Sequence, residues 1–210
     1  LGVETRTGVK FGPDFTLKDL EKEGFASVFL GIGAHVSLDM HIQGEKETKG
    51  VVDAIRFLRE VNLGDKKCPG NKVVVIGGGN VAIDAARVAK RLGAQEVTVV
   101  YRRSEQEMPA YAEEIQGAIE DKINFSFLTA PVKILEQDGK VSGFECIQTQ
   151  LGPPDASGRR RPVPVAGSEF VIPCDAVIPA IGQKIDTSWA TQEPDLNWSS
   201  RNTLEVNPYT

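Results

Sequence analysis

The chain has 210 residues, of which 40% are hydrophobic and 25% charged, with a formal net charge of −5. This composition is ordinary for a globular α/β protein. The acidic balance argues against nonspecific binding to nucleic acid, and no apolar stretch approaches the roughly 20 residues that cross a bilayer. The 3 cysteines lie far apart, without zinc or iron–sulfur spacing, so we expect buried thiols, no metal site and a cytoplasmic setting.

The amino-terminal third predicts short elements around one apolar segment. Residues 16–23 have the pattern of a short amphipathic helix that is capped by Thr16. Residues 27–30 (SVFL) run into a glycine-containing turn, and we interpret them as a buried strand. Apolar residues recur at helical spacing from 49 to 62, and a polar, turn-rich linker follows.

The most informative stretch, residues 73–103, has the order strand, glycine turn, helix, strand. Residues 73–76 (VVVI) form an unbroken apolar run, typical of a central parallel strand that is buried on both faces. Three glycines at 77–79 follow at once, and then come a helix pattern at 81–92 and a strand pattern at 97–101. This is the order of a dinucleotide-binding unit.

Each position near the glycine turn has a physical task in such a unit. Gly77 permits the tight turn, Gly79 lets the main chain approach a pyrophosphate, and Ala82 allows the helix to pack closely on the strand. The helix start offers unpaired N–H groups and the positive end of its dipole to the phosphates. Asn80 is expected to hydrogen-bond at that helix start, as capping residues do.

Two arginines end the second strand. An NAD-binding site usually offers Asp or Glu to the ribose 2′-hydroxyl at this position. Arg102 and Arg103 stand there instead, and guanidinium groups bind a 2′-phosphate through charge-assisted, often bidentate hydrogen bonds. We therefore expect NADP(H) as the cofactor. The alternative is that both arginines form a solvated strand end and that the cofactor is NAD(H).

The next part of the chain predicts one helix and then β-structure. A helix pattern covers 112–121, where the acidic side chains are interpreted as a solvated face, and a strand pattern covers 124–128. Residues 132–135 and 141–149 predict paired strands around a turn at Asp138-Gly139.

The last part of the chain contains an arginine-rich segment and a second apolar strand. Residues 152–165 are expected to form an exposed hairpin or loop, and their arginine run 159–161 either is solvated or contacts an acidic partner. Residues 174–182 run from an apolar strand into a small-residue turn, as residues 26–34 do. Because these two segments bracket the dinucleotide unit, we expect one domain interrupted by another. The alternative is that they are two unrelated strand–turn elements.

Four stretches resemble the FAD-dependent pyridine nucleotide oxidoreductases of the glutamate synthase small-subunit family. The large subunit of the electron-bifurcating ferredoxin:NADP oxidoreductases is closely similar to that family. The stretches are FLGIGAH (29–35), GGGNVAIDAAR (77–87), VYRRSEQEMPA (100–110) and CDAVIPAIGQ (174–183). The most diagnostic feature is the combination of GGGNVA with YRRSEQEMP.

The resemblance implies an α/β fold, with a Rossmann-like dinucleotide-binding domain that has a three-layer sheet. This domain would span 67–166 and lie between two segments of a partial FAD-binding domain, 1–66 and 167–210. The resemblance implies that the glycine turn and helix start contact the NADPH pyrophosphate, that the arginine pair contacts the 2′-phosphate, and that the last turn lies near the nicotinamide half. The implied cofactor-binding residues are Gly77, Gly78, Gly79, Asn80, Val81, Ala82, Arg102, Arg103, Met108, Pro109, Ala180, Ile181 and Gly182.

The sequence departs from the family pattern in two ways. The first crossover of the family usually reads Asp-Ala-Val, but Ala26 holds the aspartate position here, whereas Asp175 is retained in the second crossover. The family's flavin fingerprint, its final Gly-Asp motif and its cysteine-rich iron–sulfur segment do not occur in this sequence. We therefore expect the chain to be the middle piece of a longer protein.

The resemblance implies hydride transfer from NADPH to FAD in that longer protein, with electrons passing on to iron–sulfur centres of a partner or large subunit. Because the cofactors carry this chemistry, no side chain is expected to be catalytic. One alternative keeps the enzyme but changes the acceptor to ferredoxin or another protein. The other is a module that senses NADP(H) without redox chemistry. No nucleic-acid or membrane partner is expected.

Overall fold

The computed structural model describes residues 2–155, 158–200 and 203–207. Its helices are α1 (Leu17–Lys22), α2 (Ala54–Asn62), α3 (Asn80–Arg91) and α4 (Ala112–Glu120). Its strands are β1 (Val36–Ser37), β2 (Lys72–Ile76), β3 (Glu96–Val100), β4 (Asn124–Ser126), β5 (Thr129–Gln137), β6 (Lys140–Pro154), β7 (Arg160–Ile172), β8 (Ala176–Pro179) and β9 (Gln183–Lys184). Among these elements, no helix is long and apolar enough to span a membrane.

Four parallel strands form the central sheet in the order β4-β3-β2-β8. The predicted central strand is confirmed, since residues 73–76 of β2 are all buried and pair with strands on both sides. The chain moves from β2 to β3 on one side and returns to β8 on the other. The strand order therefore reverses at β2, and open α/β sheets bind ligands at such a switch point.

The central sheet is the middle of three layers. Its Val73 and Val75 pack with α2, α3 and α4 on one face. On the other face, Val74 and Ile76 pack with Phe144 of β6 and its neighbours in the antiparallel sheet β5-β6-β7. The predicted α/β dinucleotide-binding fold is confirmed, and its second outer layer is a sheet.

The hairpins of the antiparallel sheet agree with the sequence pattern. Strands β5 and β6 pair around Asp138 and Gly139, whose φ values of 54° and 73° suit a tight hairpin turn. Strands β6 and β7 form the second, longer hairpin, and residues 159–161 at its end are exposed. Residues 156–157 of the predicted loop lie outside the described residues.

The predicted buried strand at 27–30 is wrong. Residues 26–35 form no strand, and Phe29 is 94% exposed. An apolar extended segment becomes a buried strand only when a sheet offers it a partner, and no described strand pairs with it. The segment is therefore not equivalent to β8, whose residues are all buried beside β2.

Asp175 supplies the polar anchor that Ala26 lacks. Its carboxylate accepts hydrogen bonds from the main-chain N–H groups of Asn71 (3.1 Å) and Lys72 (2.8 Å). Its own N–H donates to the carbonyl oxygen of Lys72 at 3.0 Å. These bonds fasten the approach to β8 onto the start of β2, and so fix the register of the two strands.

The chain forms two compact units, one of residues 37–182 and the other of residues 1–36 and 183–210. The larger unit covers more of the chain than the predicted nucleotide domain, 67–166, does. For example, the N–H of Val52 donates to the carbonyl oxygen of Val177 at 2.9 Å, and both residues lie outside the predicted limits. At its ends, Leu38 donates to the carbonyl oxygen of Gly182 at 3.0 Å. Compactness does not show which cofactor a segment binds, so the functional limits 1–66, 67–166 and 167–210 stay a prediction.

In the smaller unit, the predicted helix over 16–23 is confirmed as α1. Thr16 caps it in a capping box with Asp19, and the buried carboxylate of Glu193 accepts from Leu17 N–H at 2.6 Å. Trp189 packs on the rings of Phe11 and Trp198, with centroid distances of 4.9 and 5.3 Å.

Candidate dinucleotide site

Three loops meet at the carboxyl edge of the central sheet, where the strand order reverses. The N–H of Gly77 donates to Val100 at 3.0 Å, and the N–H of Ala180 donates to Ile76 at 2.7 Å. These bonds join the loops that follow β2, β3 and β8. The structure therefore brings the predicted site residues together at the edge where ligands bind in this class of sheet.

Gly77 and Ala82 have the tight packing that the sequence predicts. Gly77 has a φ of 148°, and a Cβ atom there would overlap the carbonyl oxygen of Ala180 and lie 3.2 Å from the Ala82 Cβ. Ala82 is fully buried. A larger residue at either position would push α3 away from β2.

Gly78 is a packing residue whose partner was missed from sequence. A Cβ atom on Gly78 would lie 2.5 Å from the ring of Tyr101. The Tyr101 hydroxyl donates to the carbonyl oxygen of Glu107 at 2.8 Å, and the N–H of Ala110 donates to Gly78 at 3.0 Å. The available signal was a large aromatic residue at the end of β3, opposite a residue without a side chain.

Gly79 leaves open space at the start of α3. It is the N-cap residue, with an ordinary φ of −91°, and apart from its own residue and its chain neighbours no described atom lies within 4 Å of the position a Cβ would occupy. The first turn of a helix has N–H groups without intrahelical partners and carries positive partial charge. Open space above these donors fits a pyrophosphate.

The predicted capping role of Asn80 is wrong, because the helix begins one residue earlier than a cap at Asn80 requires. Asn80 is the first helical residue, and Gly79 caps the helix without a side-chain bond. The Asn80 Oδ1 instead accepts from the N–H of Tyr111 at 2.9 Å. Asn80 thereby ties the start of α3 to the N-cap of α4.

The two arginines have different surroundings. Arg102 is exposed, whereas Arg103 is only 6% exposed and its Nε donates to the carbonyl oxygen of Arg160 at 2.7 Å. Over the described residues, no buried side-chain nitrogen lacks a hydrogen-bond partner, so the Nη end of Arg103 reaches the surface. The solvated strand-end interpretation therefore fails for Arg103.

The arginine pair carries positive charge that the described protein does not neutralise. Within the described ranges, neither guanidinium is in an ion pair. A buried charge without a counter-ion is unfavourable, and an anion that binds there would relieve the cost. The chemistry of this corner therefore fits a phosphate group.

The remaining predicted residues line the other two loops. A short 3-10 turn over Glu105–Glu107 is closed by a capping box between Ser104 and Glu107. Met108 follows it and packs in the helix-side core, whereas Pro109 is exposed. In the loop after β8, Ile181 is 42% exposed, and Ala180 and Gly182 flank it. The remaining predicted residue, Val81 of α3, is partly buried.

Glu114 and two of the cysteines could be proposed as reactive groups, but their surroundings are structural. Glu114 of α4 bonds Arg87 at 2.7 Å and so belongs to a helix–helix contact. Burial raises the pKa of both Cys146 and Cys174 to about 12. In the described residues, no group of His, Cys, Asp and Glu has the arrangement of a metal site.

The fold and these loops define an α/β protein of the dinucleotide-binding class. The chain belongs to the pyridine nucleotide-disulphide oxidoreductase family, whose model matches residues 2–210. The chain is 47% identical to the NADPH-Fe(3+) oxidoreductase subunit beta of Geobacter sulfurreducens, over 97% of this chain and 31% of that protein. It is 42% identical to the NADP(+)-dependent formate dehydrogenase subunit beta of Moorella thermoacetica, over 100% of this chain and 30% of that protein.

The expected resemblance to the glutamate synthase small subunit is confirmed. The glutamate synthase [NADPH] small chain of Escherichia coli is 35% identical over 98% of this chain and 44% of its own length. The chain thus spans less than half of each of these relatives, all of which are oxidoreductases.

Solved structures share the fold. FprA of Mycobacterium tuberculosis, in complex with NADPH, superimposes with a TM-score of 0.71 at 20% identity, over 91% of this chain and 56% of that chain. Thioredoxin reductase of T. acidophilum gives a TM-score of 0.58 at 19% identity, over 81% of this chain and 49% of that one.

Proposed function

We propose that the chain binds NADP(H) at the switch point of its sheet and presents the nicotinamide ring to FAD held by the rest of a longer polypeptide. One observation carries this proposal: the open start of α3 at Gly79 lies on the same sheet edge as an arginine pair that has no counter-ion among the described residues. Both features accept phosphate groups, and they follow neighbouring strands.

Each loop has a separate role in this arrangement. The pyrophosphate lies over Gly79 and the first turn of α3, and the 2′-phosphate lies between Arg102 and the open end of Arg103. Residues 180–182 follow β8 on the opposite side of β2, so the nicotinamide half extends toward them. Met108 shapes the crevice from the core side, and Pro109 lies beside the nucleotide.

The names of the relatives support a redox role within a complex. Two of them are named as subunits of oxidoreductases that use NADPH or NADP(+), and a third is named as a small chain. When bound, FAD would accept the hydride and pass electrons singly to iron–sulfur centres of a partner subunit. The residues of this chain would bind and orient the nicotinamide without moving a proton.

Titration calorimetry of the intact protein with NADP⁺ and NAD⁺ tests the binding proposal. The oxidised nucleotides carry no hydride, so binding is measured without reaction. We expect NADP⁺ to bind at least about tenfold more tightly, because charge-assisted hydrogen bonds contribute about 1.5–3 kcal/mol. Arg102→Ala should remove most of this preference, whereas Arg59→Ala on α2 removes the same charge away from the crevice and should not.

Equal affinity for both nucleotides in the wild-type protein would contradict the 2′-phosphate site, and absence of binding would contradict the proposed nucleotide site as a whole.

Rapid mixing of the intact protein with NADPH tests the redox step. Bleaching of flavin absorbance is the expected result. Nucleotide binding without bleaching would favour a sensing module.

A further inference from the structure

The strand end that carries the arginine pair is fastened to the antiparallel sheet. The hydroxyl of Thr149 in β6 donates to the carbonyl oxygen of Arg102 at 2.9 Å. The N–H of Leu128 donates to the carbonyl oxygen of Arg103 at 3.0 Å. A third hydrogen bond runs from Arg103 Nε to the carbonyl oxygen of Arg160. The first two bonds fix the main chain of the arginine pair, and the third fixes the guanidinium of Arg103.

Leu128 shows that this junction is held firmly. Its φ of 50° is in the left-handed region, which a leucine rarely adopts. The conformation lets its N–H reach Arg103 while its carbonyl oxygen accepts from the N–H of Thr149 at 2.7 Å. Such conformations persist where the surrounding bonds over-determine them, and they cluster at functional sites.

The side chain of Arg160 holds the acceptor for Arg103 in place. Its Nη2 donates to the carbonyl oxygen of Leu151 at 2.8 Å and its Nε to that of Gly152 at 3.3 Å, across the β6–β7 hairpin. The main-chain carbonyl of the same residue accepts from Arg103. Arg160 therefore closes the hairpin and orients the buried guanidinium with one residue.

The identity of the acceptor matters for charge. A carbonyl oxygen orients the Arg103 guanidinium but carries no net charge, so it leaves the positive charge available to a ligand. A carboxylate at the same place would neutralise the charge and lower its attraction for a phosphate. All three hydrogen bonds involve uncharged partners. They therefore fix the position of the arginine pair and leave its positive charge unneutralised.

We propose that the β6–β7 hairpin sets nucleotide specificity, with Thr149 and Arg160 as positioning residues for recognition of the 2′-phosphate. This inference rests on the proposed NADP(H) site and adds two residues outside the glycine turn and the arginine pair. Neither residue touches the nucleotide. Each acts through the position of Arg102 or Arg103.

Thr149→Val tests the first residue, because valine keeps the shape and removes the hydroxyl. We expect NADP⁺ affinity of the intact protein to fall about threefold to tenfold, as for one lost hydrogen bond, with NAD⁺ affinity changed less than about twofold. Thr149→Ser keeps the donor and should restore the preference. Thr129→Val is the matched control, since Thr129 is equally buried in the same sheet but its hydroxyl donates to the carbonyl oxygen of Phe127 at 2.9 Å and to neither arginine.

Arg160→Ala tests the second residue against Arg161→Ala. Both substitutions remove one positive charge from adjacent exposed positions, but of these two side chains only that of Arg160 bonds across the described part of the hairpin. We expect the ratio of NADP⁺ to NAD⁺ affinity to fall at least about threefold in Arg160→Ala and to stay near the wild-type value in Arg161→Ala. Equal losses in both would mean that the hairpin acts through long-range charge, which would overturn the positioning role.

The outcomes separate this inference from the proposed function. If the wild-type protein prefers NADP⁺ and both variants match their controls, the inference is overturned and the binding site stands. If the wild-type protein shows no preference, the proposed site fails and the inference fails with it. Should Thr149→Val not fold, the comparison of Arg160→Ala with Arg161→Ala at the exposed positions decides whether the hairpin positions the arginine pair.

Discussion

Gly77 and Gly79 lie two residues apart in one turn and constrain substitution for opposite reasons. Gly79 has a φ that any residue adopts and open space beside it, so Gly79→Ser should fold normally and even improve the helix cap. The added side chain fills the space above the helix start, so we expect NADP⁺ affinity to fall about tenfold or more, or about 1.4 kcal/mol. Thermal unfolding and calorimetry measure the two effects separately.

Gly77→Ala is the contrasting variant. Its φ of 148° and the overlap with Ala180 should lower the free energy of unfolding by more than about 1 kcal/mol. A Gly79→Ser protein that loses stability but keeps full affinity would contradict both the open space and the pyrophosphate position.

The three thiols should differ sharply in reactivity. Cys146 and Cys174 are buried, with pKa values raised to about 12, whereas Cys68 is partly exposed. Because the thiolate is the reactive form, a maleimide at neutral pH should modify only the peptide that contains Cys68 in the folded protein. Peptide mass spectrometry before and after denaturation measures this. Modification of Cys174 in the folded state would contradict the burial.

Single residues show where sequence reasoning succeeded at this site and where it stopped. The glycine turn and its tight positions could be predicted, since the spacing of strand, turn and helix restricts residue size directly. The bonding of Asn80 to Tyr111 could not, because an amide at a helix start satisfies a local or a distant donor equally well. The burial of Arg103 also depended on Arg160, which lies 57 residues away.

At the scale of elements, two arginines of α3 bond α4 and its C-cap, and Arg87 makes the shorter contacts. Arg87 of α3 bonds Asp121 at 2.9 Å and Glu114 at 2.7 Å, and Gly117 leaves room for its guanidinium. The hydrogen bond from Arg87 lowers the pKa of Asp121 below its ordinary value of 3.8. The folded state therefore binds the Asp121 proton less readily than the unfolded state does.

This shift predicts an acid-sensitive contribution to stability. Because the pKa of Asp121 is lower in the folded state, its ionised form stabilises the fold at any pH above the ordinary pKa of an aspartate. This contribution is lost as the pH falls through the folded-state pKa. We expect thermal stability to fall more steeply below about pH 4 in the wild type than in Asp121→Asn, which cannot titrate. Glu113→Gln, which removes one carboxylate from the exposed face of α4, is the matched charge control. Parallel slopes in wild type and Asp121→Asn would contradict the role of the contact.

Elements with local signals were predicted, whereas two features that depend on distant packing were not. The turn at Asp138-Gly139 specifies its hairpin through residues that tolerate positive φ. Residues 27–30 carry a strand composition but have no described sheet partner, and sequence composition alone does not reveal this. The sequence pattern also did not show that β6 covers the second face of the central sheet. That arrangement depends on the packing of Phe144 against residues far away in the sequence.

At the scale of the whole molecule, residues 37–182 contain nearly all of the described core. Every buried hydrophobic residue in the described ranges except Trp189 lies within them. We therefore expect residues 37–182, expressed alone, to unfold cooperatively and to bind NADP⁺ within about threefold of the intact protein, since a compact unit with its own core folds independently. Circular dichroism during heating and calorimetry test this. A gradual transition without nucleotide binding would show that the unit needs the remaining chain.

The bond between Leu38 and Gly182 has a consequence for the history of such proteins. It places both ends of the larger unit side by side, so the chain enters and leaves through a single point. A segment with adjacent ends can be gained or lost by a host gene in one recombination event, because the host loop need not stretch to accept it. The same compact unit can thus be carried by host proteins that differ in every other part.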